Sequence, residues 1–592
     1  MEKVIDRFEH LFRLKLESWT PLRSGLHDYF PQHEIDCLDR AERMFQASQR
    51  KIIFLSFENR LVELGGLAAV TRYLPQALVE TGEQVIMLSP LHSTERAKAA
   101  LENGELEECF PLTNFHLCAY SGKIRCYKDL KQKIPTYYLN VEKQFTAGEN
   151  PYGYCEPEFL LLDSLVFSAG VPFALKKLGI TKDIIIHAND WETAPVAVTA
   201  KYAVISGLLE HARTILTLHN SFDTEIRKRR KQMFFGRELP GDTVLQCSIP
   251  LLSGPLTTVS SAFAHELRND PIQKGIFVNH LQACFSRNPP LGIENGIFGN
   301  NRGPFEEIIL NNKKQKAFKE LISEKTKYRK QLLGELKNSD DTRIIGGFKF
   351  RKDDSSMPLI VMLGRLDLTQ KGFDVIFHAF ERLPRGSAKL LFCPSSNNGP
   401  ENLAFFKEME KRCSGDIVIL PFRITDAQYT LFLRGASFLV MPSFYEPFGS
   451  ATEAFLNGTP VLARATGGLF TQVNPLNDME IPSAYKSIIH FDRSLFPPNG
   501  ILFREKAETE NQEKQWGDLL GLAPEMRIAN PVYSAMVKSA HDALGIAIDT
   551  FSDSHKYVSL VFNGLKQVEG FSWKSAAGKY RKVYDAVSYR GA

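Results

Sequence analysis

The chain has 592 residues, 43% of them hydrophobic and 24% charged, proportions that allow several buried cores and exclude disorder throughout. Lys and Arg number 72 against 68 Asp and Glu, a formal charge of +4, too small over this length to argue for a polyanionic partner, so nucleic acid is not expected. Nine cysteines lie far apart with no C-x-x-C pair, which gives no sign of a zinc or redox dithiol motif and points to a reducing, cytoplasmic setting.

The opening MEKVIDRFEHLFRLKLESW carries charge every two or three positions and lacks the apolar core of a secretory signal. No run of about eighteen apolar residues without a charge predicts a membrane span. Residues 1–50 are helical in pattern and precede the first strand, an appended helical extension. From Lys51 onward, short apolar runs alternate with helical stretches: KIIFLSF, EQVIMLSP, DIIIHAND, ARTILTLHN and PLTTVSS, then PLIVMLGR, AKLLFCP, DIVILPF and SFLVMPS. Continuous apolar runs mark strands covered on both faces, and helices between them mark parallel sheets, so the chain is α/β. Strand-like runs stop between about Asn300 and Met357, where KKQKAFKELISEKTKYRKQLLGEL reads as an exposed helix, and resume at Pro358. Two doubly wound domains are therefore expected, at 51–310 and 358–570, with a linker and exposed helix at 311–357 and a closing helical segment at 571–592. The stretch from about Arg504 to Ser554 is polar and ambiguous.

In open parallel sheets ligands bind beyond the carboxyl ends of the strands, so the residues that follow each strand are the candidates. After the first strand, Gly65 and Gly66 precede a helix. Adjacent glycines let backbone amides approach a ligand, although a tight turn uses the same glycines for structure alone. HANDWETAP brings His187, Asp190 and Trp191 together, and TLHNSFD brings His219 and Asn220. Neither offers a metal-ligand spacing, and a hydrogen-bonded structural histidine is the alternative at each. In the second half, Arg365 ends LIVMLGR and Lys371 and Gly372 follow. Two cations there can hold the oxygens of a pyrophosphate and stabilise its charge as it leaves; the alternative is a pair of surface cations at a helix start, where cations are slightly unfavourable. Glu446 lies just past a strand end, Glu453 follows, and Thr466, Gly467 and Gly468 come after PVLAR. Carboxylates can hold sugar hydroxyls, and a Thr-Gly-Gly turn opening onto a helix can present amides to phosphate.

These residues resemble, in chain order from about Lys51 to Tyr584, the glycogen and starch synthases among the retaining glycosyltransferases of the GT-B fold. Gly65-Gly66-Leu67 looks like the end of the family's Lys-Thr-Gly-Gly-Leu donor loop, and His187-Ala188-Asn189-Asp190-Trp191 like its His-Ala-His-Asp-Trp. Leu218-His219-Asn220, Thr257-Thr258-Val259-Ser260 and Glu294-Asn295-Gly296-Ile297 are similar to its Val-His-Asn, Thr-Thr-Val-Ser and Leu-Asn-Gly-Ile. Arg365 and Lys371-Gly372 resemble the Arg and Lys-Gly that hold the nucleotide diphosphate. Glu446-Pro447-Phe448-Gly449 and Thr466-Gly467-Gly468-Leu469 resemble its Glu-Pro-x-Gly and Thr-Gly-Gly-Leu loops, and Phe571-Ser572-Trp573 its closing Phe-Ser-Trp.

The resemblance implies two Rossmann-like domains facing across a cleft, the first on the acceptor side and the second binding the nucleotide-sugar. It implies transfer of glucose from ADP-glucose or UDP-glucose to an α-glucan, with retention at the anomeric carbon. Arg365 and Lys371 would stabilise the leaving diphosphate, Glu446 would bind sugar hydroxyls and His219 would contact the sugar near the reacting carbon. Gly65, Gly66, Asp190, Asn295, Glu453, Thr466, Gly467 and Gly468 would bind the donor. With two cations doing this work and no Asp-x-Asp pair, no metal and no cofactor is expected. Departures from the pattern include Glu63 where the donor-loop lysine stands, Asn189 for the second histidine, Phe298 for the aspartate after Asn-Gly-Ile, and Glu446 and Glu453 one residue closer together. The same scaffold with another sugar or a protein acceptor, or a silent glucan- or nucleotide-binding relative, are the alternatives. The basic cluster Arg227 to Lys231 reads first as a solvated loop, the alternatives being a face for an acceptor, an anionic partner or an import receptor.

Overall fold

The structure, a computed structural model, describes residues 10, 12–16, 23–298, 303–349, 357–395, 403–489, 496–506 and 511–589. The chain divides into two compact units, one of Met1–Val259, Phe277–Gly296 and Ser572–Ala592, the other of Ser260–Ile276 and Ile297–Phe571.

The first unit is built on a nine-stranded sheet. Its strands are β1 (Lys51–Leu55), β2 (Gln84–Pro90), β3 (Leu106–Leu117), β4 (Tyr120–Asp129), β5 (Thr136–Val141), β6 (Ile184–Asn189), β7 (Ala212–Leu218), β8 (Leu256–Thr258) and β9 (Leu291–Gly292), in the order β3-β4-β5-β2-β1-β6-β7-β8-β9. All pairings from β5 to β9 are parallel, and β4 pairs antiparallel with both β3 and β5. Ile52 to Leu55 are fully buried, as expected for a central strand covered on both faces. Successive crossovers run from β1 to β2 on one side and resume at β6 on the other, so the topological switch lies between β1 and β6.

The helix Pro157–Lys177 is long and apolar enough by length and composition to cross a membrane. Between Leu161 and Leu175, however, only Leu162 and Phe173 fall short of burial, the pattern of a core helix. The helical extension contributes Gln32–Met44, which buries Ile35 and Leu38, and Arg237 ties it down through Glu34 (3.0 Å) and the Tyr29 carbonyl (2.7 Å). The closing helix Trp573–Ser588, capped by Ser572 Oγ accepting from the Ser575 amide, belongs to this unit. It buries Tyr580 and Tyr584, and Tyr584 OH lies 2.8 Å from His187 Nδ1 at the end of β6. Gly296 makes room for it, since a Cβ there would fall 2.4 Å from Trp573 Cγ.

The second unit has a seven-stranded sheet of β10 (Ile345–Gly346), β11 (Leu359–Arg365), β12 (Lys389–Ser395), β13 (Ile417–Ile419), β14 (Phe438–Met441), β15 (Val461–Arg464) and β16 (Gly500–Phe503), in the order β10-β13-β12-β11-β14-β15-β16. Apart from the antiparallel edge strand β10 the sheet is parallel, with the strand order of a dinucleotide-binding domain and its switch between β11 and β14. The basic helix, Lys314–Lys337, is exposed on one side only. Its other side buries Phe318, Leu321 and Leu332, and Lys325 Nζ sits 2.7 Å from both the Arg434 carbonyl and Thr459 Oγ1. The ambiguous polar stretch is helical, at Gln512–Leu520 and Pro531–Ser552, and a buried Arg527–Asp374 ion pair (2.9 Å) fixes the turn between them.

Candidate active site

At the switch of the first unit, the segment after β1 places Glu58 against its own loop. Glu58 Oε2 accepts from the amides of Leu64 (2.9 Å) and Gly65 (3.0 Å), and Oε1 from Tyr152 OH (3.1 Å). Neither glycine of this loop is demanded by packing: Gly65 has φ −149°, and a Cβ on Gly66 would meet nothing within 4 Å. Glu63 turns to two arginines, Arg72 and Arg96 (3.3 Å to the latter), so the local charge of this group is net positive despite the carboxylate.

After β6, Asp190 adopts a left-handed backbone, φ +60°, unusual for a non-glycine and concentrated in proteins at functional sites. Its side chain accepts from the His219 amide (Oδ1, 2.6 Å) and from Asn220 Nδ2 (Oδ2, 3.2 Å), which joins the ends of β6 and β7. Burial pushes Asp190 up to about 7. Glu192, two residues on, is buried with Oε2 lacking a hydrogen-bond partner, and burial together with the nearby Asp190 carboxylate holds it well above the carboxylate range. Burial likewise raises Glu58. The His219 ring is oriented by Asn189: Asn189 Nδ2 donates to the Leu55 carbonyl (2.8 Å), so its oxygen faces His219 Nε2 (2.8 Å), which carries the proton. Burial pushes His219 down to about 3, so the imidazole is neutral. His187 is a structural residue, held by Tyr584 and by Thr217 Oγ1 (2.7 Å). Asn295, just past β9, is buried, and its amide donates to the Val259 carbonyl (3.2 Å).

At the switch of the second unit, β11 ends at Arg365, whose side chain is 56% exposed and reaches Asp367 and Gln370, each at 3.2 Å. The turn Asp367–Lys371 closes through the Lys371 amide and the Asp367 carbonyl (2.9 Å) and brings Lys371 Nζ to Glu446 Oε2 at 2.6 Å. Ser443 Oγ donates to the same oxygen (2.9 Å), and Glu446 is buried. Gly372 is required here, because it has φ +58° and a Cβ would fall 2.3 Å from the Pro442 carbonyl. Glu453 accepts from Tyr429 OH at 2.5 Å, and burial pushes it up to about 7.

The Gly467 and Gly468 amides of the Thr466–Gly468 turn and the Thr466 hydroxyl are already engaged within the protein. Gly467 donates to Glu266 Oε1 (2.7 Å), Gly468 to the Glu446 carbonyl (2.9 Å), and Thr466 Oγ1 to Glu266 Oε1 (3.0 Å). The structure thus gathers Arg365, Lys371, Glu446 and the Thr466–Gly468 turn in the second unit, and Gly65, Gly66, Asp190 and His219 in the first. Much of the basic cluster is spent internally: Lys228 pairs with Glu238 (2.6 Å), Arg230 with Glu158 (2.9 Å), and Lys231 bonds the Leu239 and Gly241 carbonyls. Glu58, Glu192 and Glu266 were not among the sequence candidates. The first two follow strands β1 and β6 and were within reach of the strand-end rule; Glu266 sits on a helix and carries no such signal. Among the described residues no group of three or more His, Cys, Asp or Glu is placed to hold a metal ion.

A family model described as the starch synthase catalytic domain matches residues 51–278, and one for glycosyl transferases group 1 matches residues 348–478, together more than half of the chain. A glycogen synthase of Fervidobacterium nodosum is 26% identical over 447 residues, covering 72% of this chain and 85% of that one. One from Desulfitobacterium hafniense is 24% identical over 568 residues, covering 91% and 99%. The chain belongs to the glycogen and starch synthase family. This family member is a glycosyltransferase, and its fold matches the catalytic domain of starch synthase IV from Arabidopsis thaliana, solved with ADP and acarbose, at TM-score 0.67 and 20% identity over 91% of this chain and 99% of that one. The two doubly wound sheets of the synthase-family chain are those of the GT-B fold.

Proposed function

We propose that the chain transfers glucose from a nucleotide-sugar, ADP-glucose or UDP-glucose, to an α-glucan with retention at the anomeric carbon and without a metal ion. The observation that carries this reading is the 2.6 Å pair of Lys371 and Glu446 at the switch of the second sheet. As the bond between the anomeric carbon and the phosphate oxygen breaks, negative charge gathers on the diphosphate. An ammonium in place beforehand stabilises that charge without reorganisation, and the Arg365 guanidinium, at the end of β11, the strand that Lys371 follows, adds a second. The Glu446 carboxylate, which accepts hydrogen bonds and donates none, suits sugar hydroxyls. His219 is neutral and its Nε2 proton is committed to Asn189, so it serves by contact with the sugar and not as an acid. The nine cysteines are all free, which suits a reducing cytoplasm.

The test is incubation of the purified protein with ADP-glucose and UDP-glucose, glycogen or maltooligosaccharides, and excess EDTA. Elongated α-glucan and released nucleoside diphosphate are expected, at a rate EDTA leaves unchanged. Failure with both donors rejects the reading, and inactivation by EDTA rejects its metal-free part.

A further inference from the structure

We propose that Glu266 is a positioning residue that sets Glu446 through the Thr466–Gly468 turn; this deepens the transferase reading above and rests on it. The helix Ser261–Asn269 lies in sequence between β8 and β9 of the first sheet yet belongs to the second unit. Its cap, Ser260 Oγ, accepts from the Phe263 amide (3.1 Å) and donates to the Pro447 carbonyl (2.7 Å), one residue beyond Glu446. Glu266, fully buried, receives Thr466 Oγ1, the Gly467 amide and Tyr485 OH (3.2 Å) on a single oxygen, Oε1, while Oε2 has no hydrogen-bond partner. One turn further along, Asp270 takes Arg504 (3.0 Å) and the same Tyr485 hydroxyl (3.1 Å), which anchors the far side of the helix.

A buried carboxylate with one oxygen bare is a poor contributor to stability, and well-packed apolar groups would serve the core at least as well. What Glu266 does hold is the turn. Gly467 has φ +46°, and a Cβ there would fall 1.9 Å from the Glu446 carbonyl; a Cβ on Gly468 would fall 2.2 Å from the Phe448 carbonyl. The turn is therefore pressed against the Glu446–Phe448 backbone, joined to it by the Gly468 amide on the Glu446 carbonyl. Glu266 grips one side of this turn and Glu446 the other. Releasing the Gly467 amide frees the turn and, with it, the backbone from which Glu446 reaches Lys371. A displacement of the order of 1 Å in such a group costs about a hundredfold in rate.

The experiment compares Glu266→Ala, Glu266→Gln and wild type by steady-state kinetics with ADP-glucose, UDP-glucose and a maltooligosaccharide, and by hydrogen exchange of the peptide 464–470. The alanine variant is expected to lose kcat by about 10- to 100-fold, with acceptor KM within about twofold, since uniform binding is untouched, and with faster exchange at 466–468. The glutamine variant, whose carbonyl oxygen accepts the same bonds, is expected to recover most of kcat. An alanine variant with wild-type kcat and exchange, or a glutamine variant as impaired as alanine, overturns the proposal. Should the alanine variant not fold, Thr466→Val removes one donor from the same oxygen: lower kcat with faster exchange supports the proposal, and unchanged values overturn it. A wild-type chain inactive on both donors rejects the transferase reading alone; the exchange then decides, faster exchange in Glu266→Ala supporting the hold on the turn and unchanged exchange overturning it.

Discussion

Removing the Lys371 ammonium leaves the buried Glu446 carboxylate with the Ser443 hydroxyl, so Lys371→Ala strands an anion and, under the proposed function, deprives the leaving diphosphate of its partner. We expect kcat to fall by about 10²- to 10³-fold, the loss typical for one preorganised electrostatic group, as measured by nucleoside diphosphate release. Glu453 gives a prediction of a different kind. Burial raises it in the folded state from the ordinary 4.5 to about 7, so the folded chain holds a proton that the unfolded chain has released. Stability from this group is therefore full below pH 4.5 and falls as pH rises through 7, by about 1.4 kcal/mol per unit in that window. Glu453→Gln cannot ionise and keeps an acceptor for Tyr429. Relative to wild type its thermal midpoint should climb between pH 5 and pH 8; a constant difference across that range refutes the assignment. That Glu446 and Lys371 follow strand ends was legible in the sequence; that they pair with each other came only from the structure. Glu266 was not legible, since AFAHELRND reads as an ordinary amphipathic helix and its burial comes from the turn it meets.

At the scale of elements, the two glycine turns differ in what holds them. Gly467→Ala puts a methyl on the Glu446 carbonyl in a left-handed backbone, so the turn must move. A loss of kcat on the order of a hundredfold is expected. Gly66→Ala meets nothing, at the start of the helix Gly66–Glu80. It should leave the thermal midpoint unchanged or slightly higher and raise donor KM, which steady-state kinetics with varied ADP-glucose will show; an unchanged KM removes this turn from the donor site. The central parallel strands were legible as uninterrupted apolar runs. The strands β3 to β5 were not, because β3 and β4 form an edge hairpin with much of its surface exposed and a register shift near Phe110, which breaks any clean period. The two-residue β10 is too short for a pattern. The helix Lys314–Lys337 read as exposed because its buried side carries Lys325 and Arg329, cations whose acceptors lie far away in sequence.

At the scale of the whole molecule, the chain passes between its two units at Val259, Ile276, Gly296 and Phe571, so no single cut separates them. A fragment of residues 1–296 lacks Trp573, Tyr580 and Tyr584, which leaves His187 without its Tyr584 partner and uncovers Gly296. Supplying residues 572–592 as a separate peptide should raise the fragment's thermal midpoint, by about 3 °C per kcal/mol of recovered burial; an indifferent fragment would show that the closing helix is dispensable. This limit was written in Phe571-Ser572-Trp573, but the unit that the helix completes could be identified only from its contacts. The same helix bears on synthesis. It leaves the ribosome after every residue of the second sheet, so the nascent first sheet waits through that interval with the pocket for Tyr580 and Tyr584 open, a long exposure in which chaperones have a surface to hold.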